Sequence, residues 1–137
     1  MKNIAIKENH LYNKAYKKGK CFVGKLVALY ILKDLGAYRL KEQNPEKQYV
    51  NRVGLSVSKK FGGAVQRNRA KRIIRAAYDS LKDELKTGNL IVISARFALH
   101  GKKSDDVEKE LRIGFGELGA FKREADSSDT KNISARN

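Results

Sequence analysis

Between Lys47 and Tyr78 the chain contains no acidic residue, and inside that window Lys59 to Arg75, KKFGGAVQRNRAKRIIR, carries seven cations. From Ala64 to Lys86 the residues Ala70, Ile73, Ile74, Ala77, Leu81 and Leu85 recur at helical spacing. At 100° per residue they form one apolar stripe, with Asn68, Lys71, Arg72 and Arg75 opposite it. A helix of this kind packs by one side and leaves a cationic side outward. Like charges at i, i+4, such as Lys71 and Arg75, destabilise it by a few tenths of a kcal/mol per pair, that is ~0.2–0.5. A charge run is ordinarily a solvated face balanced by acids; here none balances it, and a bound polyanion would relieve the repulsion.

The distribution of charge supports that reading. Residues 1–78 hold 19 Lys/Arg against 4 Asp/Glu, whereas residues 79–137 hold 11 of each, so the whole net charge of +15 lies in the first part. Charge serving solubility alone would be spread evenly. A concentrated basic field suits a polyphosphate, because each neutralised phosphate releases condensed counterions. Nucleic acid is therefore the expected partner class. No apolar run approaches the ~18–20 residues of a membrane span, and no amphipathic helix pairs lysines with large apolar anchors, so no membrane partner is expected. Met1 to Asn13 contains no continuous apolar stretch with a cleavage site, so the chain is expected in the cytoplasm. Cys21 is the only cysteine, and His10 and His100 lack a partner at ligand spacing, so no metal site is expected within the chain.

Around the basic helix the sequence alternates elements of both kinds. Lys7 to Lys18 reads as a first helix ended by Gly19, with Tyr12 and Tyr16 sharing a face at i, i+4. Cys21 to Leu32 is apolar and free of proline, which predicts one long strand with Phe22, Leu26, Ala28, Tyr30 and Leu32 on one face. Residues 33–48, with Gly36, Asn44 and Pro45, read as a polar hairpin connection. In Tyr49 to Ser58 the alternation sends Val53, Leu55 and Val57 to the core and the small Gly54, Ser56 and Ser58 to the other face. Leu90 to Ala95 reads as a strand buried on both faces. Ser104, Asp105 and Asp106 resemble the start of a third helix through about Phe121, with Val107, Leu111, Phe115 and Leu118 inward. The length fits one domain over residues 1–122, with a polar tail, 123–137, expected to be disordered.

The stretch Gly54 to Tyr78, GLSVSKKFGGAVQRNRAKRIIRAAY, resembles the signature of the bacterial ribonuclease P protein family, an Arg-Asn-Arg helix preceded by a Ser-Lys-Lys-x-Gly turn. The likeness extends more weakly from about Lys7 to Phe121. It implies an α/β two-layer sandwich of order αβββαβα with a left-handed βαβ crossover, against the usual handedness of such connections. It implies RNA rather than DNA as partner, on two surfaces. Lys59, Lys60, Arg67, Asn68, Arg69, Lys71, Arg72 and Arg75 would face a catalytic RNA. Tyr12, Tyr16, Ala28 and Tyr30 would line a cleft for the single-stranded 5′ leader of precursor tRNA. Bases stack on aromatic rings without demanding sequence, which suits the second surface; the alternative for the same tyrosines is ordinary core packing.

The resemblance further implies that the chain is the protein subunit of an RNA-based endoribonuclease that removes the leader to give the mature tRNA 5′ end. The active site and its Mg2+ would belong to the RNA partner, and no catalytic residue is expected in this chain. An enzyme acting alone would need clustered carboxylates or a histidine pair, whereas the acids here fall mostly after Asp79. The alternative is a ribosomal-type or general RNA-binding or chaperone protein. Such a protein would share the charge but has no reason to combine the Arg-Asn-Arg segment with an aromatic cleft.

Overall fold

The computed structural model describes residues 2–5, 9–33, 49–86 and 88–121. The polar connection at 34–48, the tail at 123–137 and the domain boundary at 122 lie outside them. In chain order the elements are β1 (Lys2–Ala5), α1 (Asn9–Lys18), β2 (Lys20–Val23), β3 (Val27–Lys33), β4 (Tyr49–Ser56), α2 (Ala64–Leu81), β5 (Asn89–Ala95) and α3 (Ser104–Glu117). Short 3-10 turns occupy Lys59–Phe61, Lys82–Glu84 and Phe97–Leu99.

The strands form one mixed sheet in the order β1-β4-β5-β3-β2. β4 and β5 are parallel neighbours joined through α2, and β3 runs antiparallel to β5. The apolar run Leu90–Ile93 lies in the centre of the sheet and is buried on both faces, as its sequence predicts. One face carries the main core. Val27, Leu29 and Ile31 of β3 and Ile91 and Ile93 of β5 pack there against Ala70, Ile74, Ala77, Tyr78 and Leu81 of α2 and Val107, Leu111 and Phe115 of α3. Ala70, Ile74, Ala77 and Leu81 of the stripe read from the sequence are the buried side of α2, to which Tyr78 is added, with Ile73 partly buried; the helix ends at Leu81 rather than Lys86, and Leu85 is buried beyond the 3-10 turn that follows. The opposite face carries a smaller cluster, in which Leu11 and Ala15 of α1 cover Leu90 and Val92. The α/β sandwich thus has α2 and α3 on one side of the sheet and α1 on the other.

The strands depart from the sequence expectation at residues 2–5 and 21–32. Residues 2–5 form an additional strand parallel to β4, ahead of the αβββαβα order. The run Cys21–Leu32 is two strands, an antiparallel hairpin in which Phe22 faces Leu29 and Cys21 faces Tyr30. The turn resets the alternation. Ala28, Tyr30 and Leu32 keep the face expected of them, while Phe22 and Leu26 join the main core on the other side.

The agent that closes this turn is remote in sequence. Glu110 of α3 accepts hydrogen bonds from the backbone N–H groups of Lys25 (3.0 Å), Leu26 (2.8 Å) and Val27 (2.7 Å). Gly24 leaves room for the carboxylate, since a Cβ there would lie 2.5 Å from Glu110 Cδ. Hydrogen bonds to a charged acceptor contribute ~1.5–3 kcal/mol each where they are shielded from water. Replacing Glu110 with alanine is expected to speed hydrogen exchange at the amides of residues 25–27 by more than about tenfold, the factor corresponding to ~1.4 kcal/mol of local opening. Unchanged protection at those amides would show that the turn is closed by the strands alone.

α3 starts one residue from the expected cap. Lys103 takes the cap position and its backbone N–H donates to Asp106 Oδ2 at 3.1 Å. The helix ends at Glu117 rather than near Phe121, and Phe121 returns to form an isolated bridge with Leu85.

Candidate nucleic-acid interface

The first candidate surface is the outward side of α2 with the turn before it. Burying Ala70, Ile74, Ala77 and Leu81 fixes the rotation of the helix, so Asn68, Arg69, Arg72 and Arg75 project from the far side and are exposed. Arg67 is half-buried, and so is Lys71, which is less outward than the place opposite the stripe that the sequence predicts for it. Lys59 and Lys60 are exposed on the 3-10 turn, whose Phe61 is buried. Gln66 closes the start of α2 by accepting a hydrogen bond from Gly63 N–H at 3.2 Å. The eight residues expected to form one surface therefore come from one helix and the turn that leads into it.

Its electrostatics are uncompensated. Among the described residues the ion pairs within 4.0 Å are Lys82 with Asp79 and Arg112 with Glu84 and Glu108, and none involves the seven cations from Lys59 to Arg75. The acids of the second half are instead used internally. Arg112 bridges Glu84 and Glu108, tying α3 to the end of α2; hydrogen bonds from Ser80 and Arg112 hold the Glu108 carboxyl below its usual range.

The second candidate surface lies on the α1 side of the sheet. Strand register places Gly54, Val92, Tyr30 and Cys21 in one row across β4, β5, β3 and β2. Ser56, Ser94, Ala28 and Val23 form the next row. α1 lies over the first row and leaves beside it a shelf of mostly small side chains. Tyr12 leans onto Gly54, where a Cβ would lie 2.5 Å from the Tyr12 hydroxyl, and forms a hydrogen bond with the Leu55 backbone. Tyr16 meets Tyr30 edge to face, with ring centroids 4.8 Å apart and planes at 85°.

All four cleft residues read from the sequence are brought together. Tyr16 is 38 % exposed and presents the most ring, Tyr12 and Tyr30 are half-buried, and Ala28 is buried floor. Burial is the main cause that raises the Tyr12 and Tyr30 hydroxyls above their ordinary values. Both therefore stay protonated and uncharged through neutral pH.

Sequence reasoning missed three contributors. Gly54 is the seat of Tyr12; its only signal is a glycine in the small-residue alternation of β4. Arg96 is exposed at the end of β5, donates from Nη1 to the Gly24 carbonyl and lies close enough to Tyr30 to act on its hydroxyl electrostatically. Its signal is a lone cation closing an apolar strand. His100 stacks on Phe61 at 3.9 Å and 13°, with Nε2 hydrogen-bonded to the Phe61 carbonyl, so it braces the lysine turn. Among the described residues no group of three His, Cys, Asp or Glu could hold a metal ion, and no helix is long and apolar enough to cross a membrane.

Comparison with known proteins points the same way. The sequence matches the Ribonuclease P family over residues 1–119. It is 39 % identical over 119 residues to the ribonuclease P protein component of Clostridium acetobutylicum, covering 87 % of this chain and 92 % of that one. With the corresponding protein of Clostridioides difficile it shares 35 % over 108 residues, 78 % and 84 % of the two chains. The structure resembles that of the Staphylococcus aureus RNase P protein with a TM-score of 0.68 at 27 % identity, over 88 % of this chain and 100 % of the other. The RNase P protein of Thermotoga maritima, at 23 % identity, a TM-score of 0.59 and 74 % and 86 % coverage, shares the fold.

Proposed function

Because this chain belongs to the ribonuclease P protein family, we propose that its two candidate surfaces divide the work of that particle: α2 docks on the catalytic RNA and the α1 cleft holds the 5′ leader of precursor tRNA. The chain is the protein component of a ribonucleoprotein endonuclease, a hydrolase subunit that acts in tRNA 5′ processing, and its partner is the ribonuclease P RNA. The observation that carries the division is the placement of an unneutralised cationic helix and an aromatic cleft on opposite faces of one sheet. One protein can then touch two RNA segments at once.

Each surface has a matching chemistry. The guanidinium groups of Arg67, Arg69, Arg72 and Arg75 can grip phosphate oxygens in a planar fork or stack on bases, and Lys59, Lys60 and Lys71 add point charges. Asn68 can hydrogen-bond in either direction. In the cleft, Tyr16 and Tyr30 offer ring surface above the Ala28 floor, and Tyr12 sets the position of α1. Residues through 122 would act as one RNA-binding domain in the cytoplasm. Hydrolysis of the phosphodiester, with the water activation and leaving-oxygen stabilisation that Mg2+ supplies, we assign to the RNA. This chain would position the leader and offset repulsion between two polyanions.

Removing phosphate contacts should lower both affinity and salt dependence. Arg69→Ala and Arg72→Ala are each expected to reduce the slope of log K against log salt by roughly 0.7–0.9, with a loss of about fivefold in affinity for the catalytic RNA near physiological salt. Titrations of labelled RNA at several salt concentrations measure both. Slopes that stay at the wild-type value in both variants would remove α2 from the interface. In a reconstitution at low magnesium the chain alone should leave precursor tRNA intact and should promote cleavage once the catalytic RNA is added. Cleavage by RNA-free protein would instead place the chemistry on this chain.

A further inference from the structure

We propose that the connection between β5 and α3, Phe97 to Lys103, is a further contact for the catalytic RNA, taking an unpaired nucleotide with its base on the Phe97 ring and its adjoining phosphates on Lys102 and Lys103. The inference rests on the reading that α2 faces that RNA, and it concerns residues which that reading does not use.

Phe97 is 72 % exposed, more than any other aromatic side chain among the described residues. It is also held in place. Its ring lies 4.7 Å from His100 and 6.5 Å from Phe61 between centroids, and those two rings are stacked on each other. Phe61 is anchored in the core, so the exposed ring has a rigid footing beside Lys59 and Lys60. Leaving a braced apolar ring in water is unfavourable unless something flat covers it.

Charge identifies what covers it. Gly101, with φ +78°, reverses the chain so that Lys102 and Lys103 come back towards α2. Arg69 Nη2 donates to the Lys102 carbonyl at 3.5 Å, and Arg69, Arg72 and Lys103 line one shallow depression with Ile73, Ala76 and Ser104. Asp106, the nearest acid along the chain after Asp105, turns back to cap the Lys103 backbone. Among the described residues no carboxylate lies within ion-pair distance of either lysine. Cations from two elements thus converge without an anion, and Lys102 and Lys103 stand on the same short connection as a ring that can stack. A nucleotide satisfies both demands with one chemical unit, and only an unpaired base has a free face to offer.

The test uses the full chain and its catalytic RNA, with the dissociation constant measured across a salt series. Replacing Lys102 and Lys103 together by alanine should weaken binding about tenfold and flatten the slope by between one and two counterions. Phe97→Ala should weaken binding by roughly 5- to 50-fold with the slope unchanged, whereas Phe97→Tyr should restore wild-type affinity. Thermal melting of each variant shows whether the fold is intact, and the lysine variant, which alters only exposed side chains, decides the question even if the Phe97→Ala protein melts early. A lysine variant with wild-type slope and affinity, while Arg69→Ala and Arg72→Ala flatten the slope, would overturn the inference and leave the role of α2 standing. Wild-type slopes in all of these variants would overturn both.

Discussion

Replacing Gly54 with valine is expected to weaken binding of leader-bearing precursor tRNA by about 10- to 100-fold while leaving a leaderless substrate unaffected. The cause is steric. The hydroxyl, Cζ and Cε1 of Tyr12 would lie 2.5, 2.6 and 2.7 Å from any Cβ at position 54. Such contacts are far inside van der Waals distance, and the neighbouring backbone of β4 cannot give way because β1 and β5 hold it on both sides. Tyr12 must therefore lift, taking α1 and the Tyr16–Tyr30 pair out of register with the shelf. The loss expected is that of one stacked base, ~1–3 kcal/mol. Valine favours strand geometry over glycine, so the sheet itself should persist.

A second variant separates this mechanism from general damage. In a Tyr12→Ala background the conflict is absent, and Gly54→Val should cost little more, giving a coupling of ~1 kcal/mol or above between two residues in contact. Simple additivity of the two substitutions, or an equal loss on leaderless substrate, would refute the cleft as the leader site.

The same pair of residues shows what could be read from sequence and what could not. The Tyr12–Tyr16 spacing is a helical pattern and survives in the structure, as does the buried stripe of α2, because both depend on local geometry and a strong apolar period. The alternation of β4 also showed that its α1 side is small. That Gly54 receives a particular tyrosine depends on how α1 is laid across the sheet, which local pattern does not encode. The β2–β3 hairpin was hidden for a related reason. Leu26 to Leu32 is continuously apolar, Gly24 and Lys25 make a weak turn signal, and the three backbone donors at the corner are satisfied by Glu110, 83–85 residues away. The extra strand at residues 2–5 likewise gains its partner only when β4 is in place.

The largest stability effect should come from Asn51, the only fully buried polar side chain among the described residues. It sits at the start of the parallel β4–β5 ladder, paired in register with Asn89. Its Nδ2 donates to the Lys86 carbonyl at 3.1 Å, its Oδ1 accepts from Asn89 N–H at 2.8 Å, and it shares a further hydrogen bond with the buried Tyr78 hydroxyl. One amide thus joins β4, β5 and the end of α2. Leucine keeps the same branching but is bulkier and would leave these partners unsatisfied, at ~1–3 kcal/mol for each that water cannot reach. Allowing for partial hydration, Asn51→Leu should lose about 3–4 kcal/mol of the ~5–15 kcal/mol available to a domain, lowering Tm by roughly 10–15 °C.

Asn51→Asp adds a check on the cause. Burial raises the folded-state pKa of the new carboxyl above its unfolded value of ~3.9. The protonated acid can still donate to Lys86 and accept from Asn89; the carboxylate can only accept. The deficit of this variant relative to wild type should therefore be smallest below the unfolded pKa and should grow as pH rises through the folded one. A pH-independent deficit, or a Leu variant that melts within about 3 °C of wild type, would mean that the amide is replaceable filler and that the β4–β5 junction is held by the ladder alone.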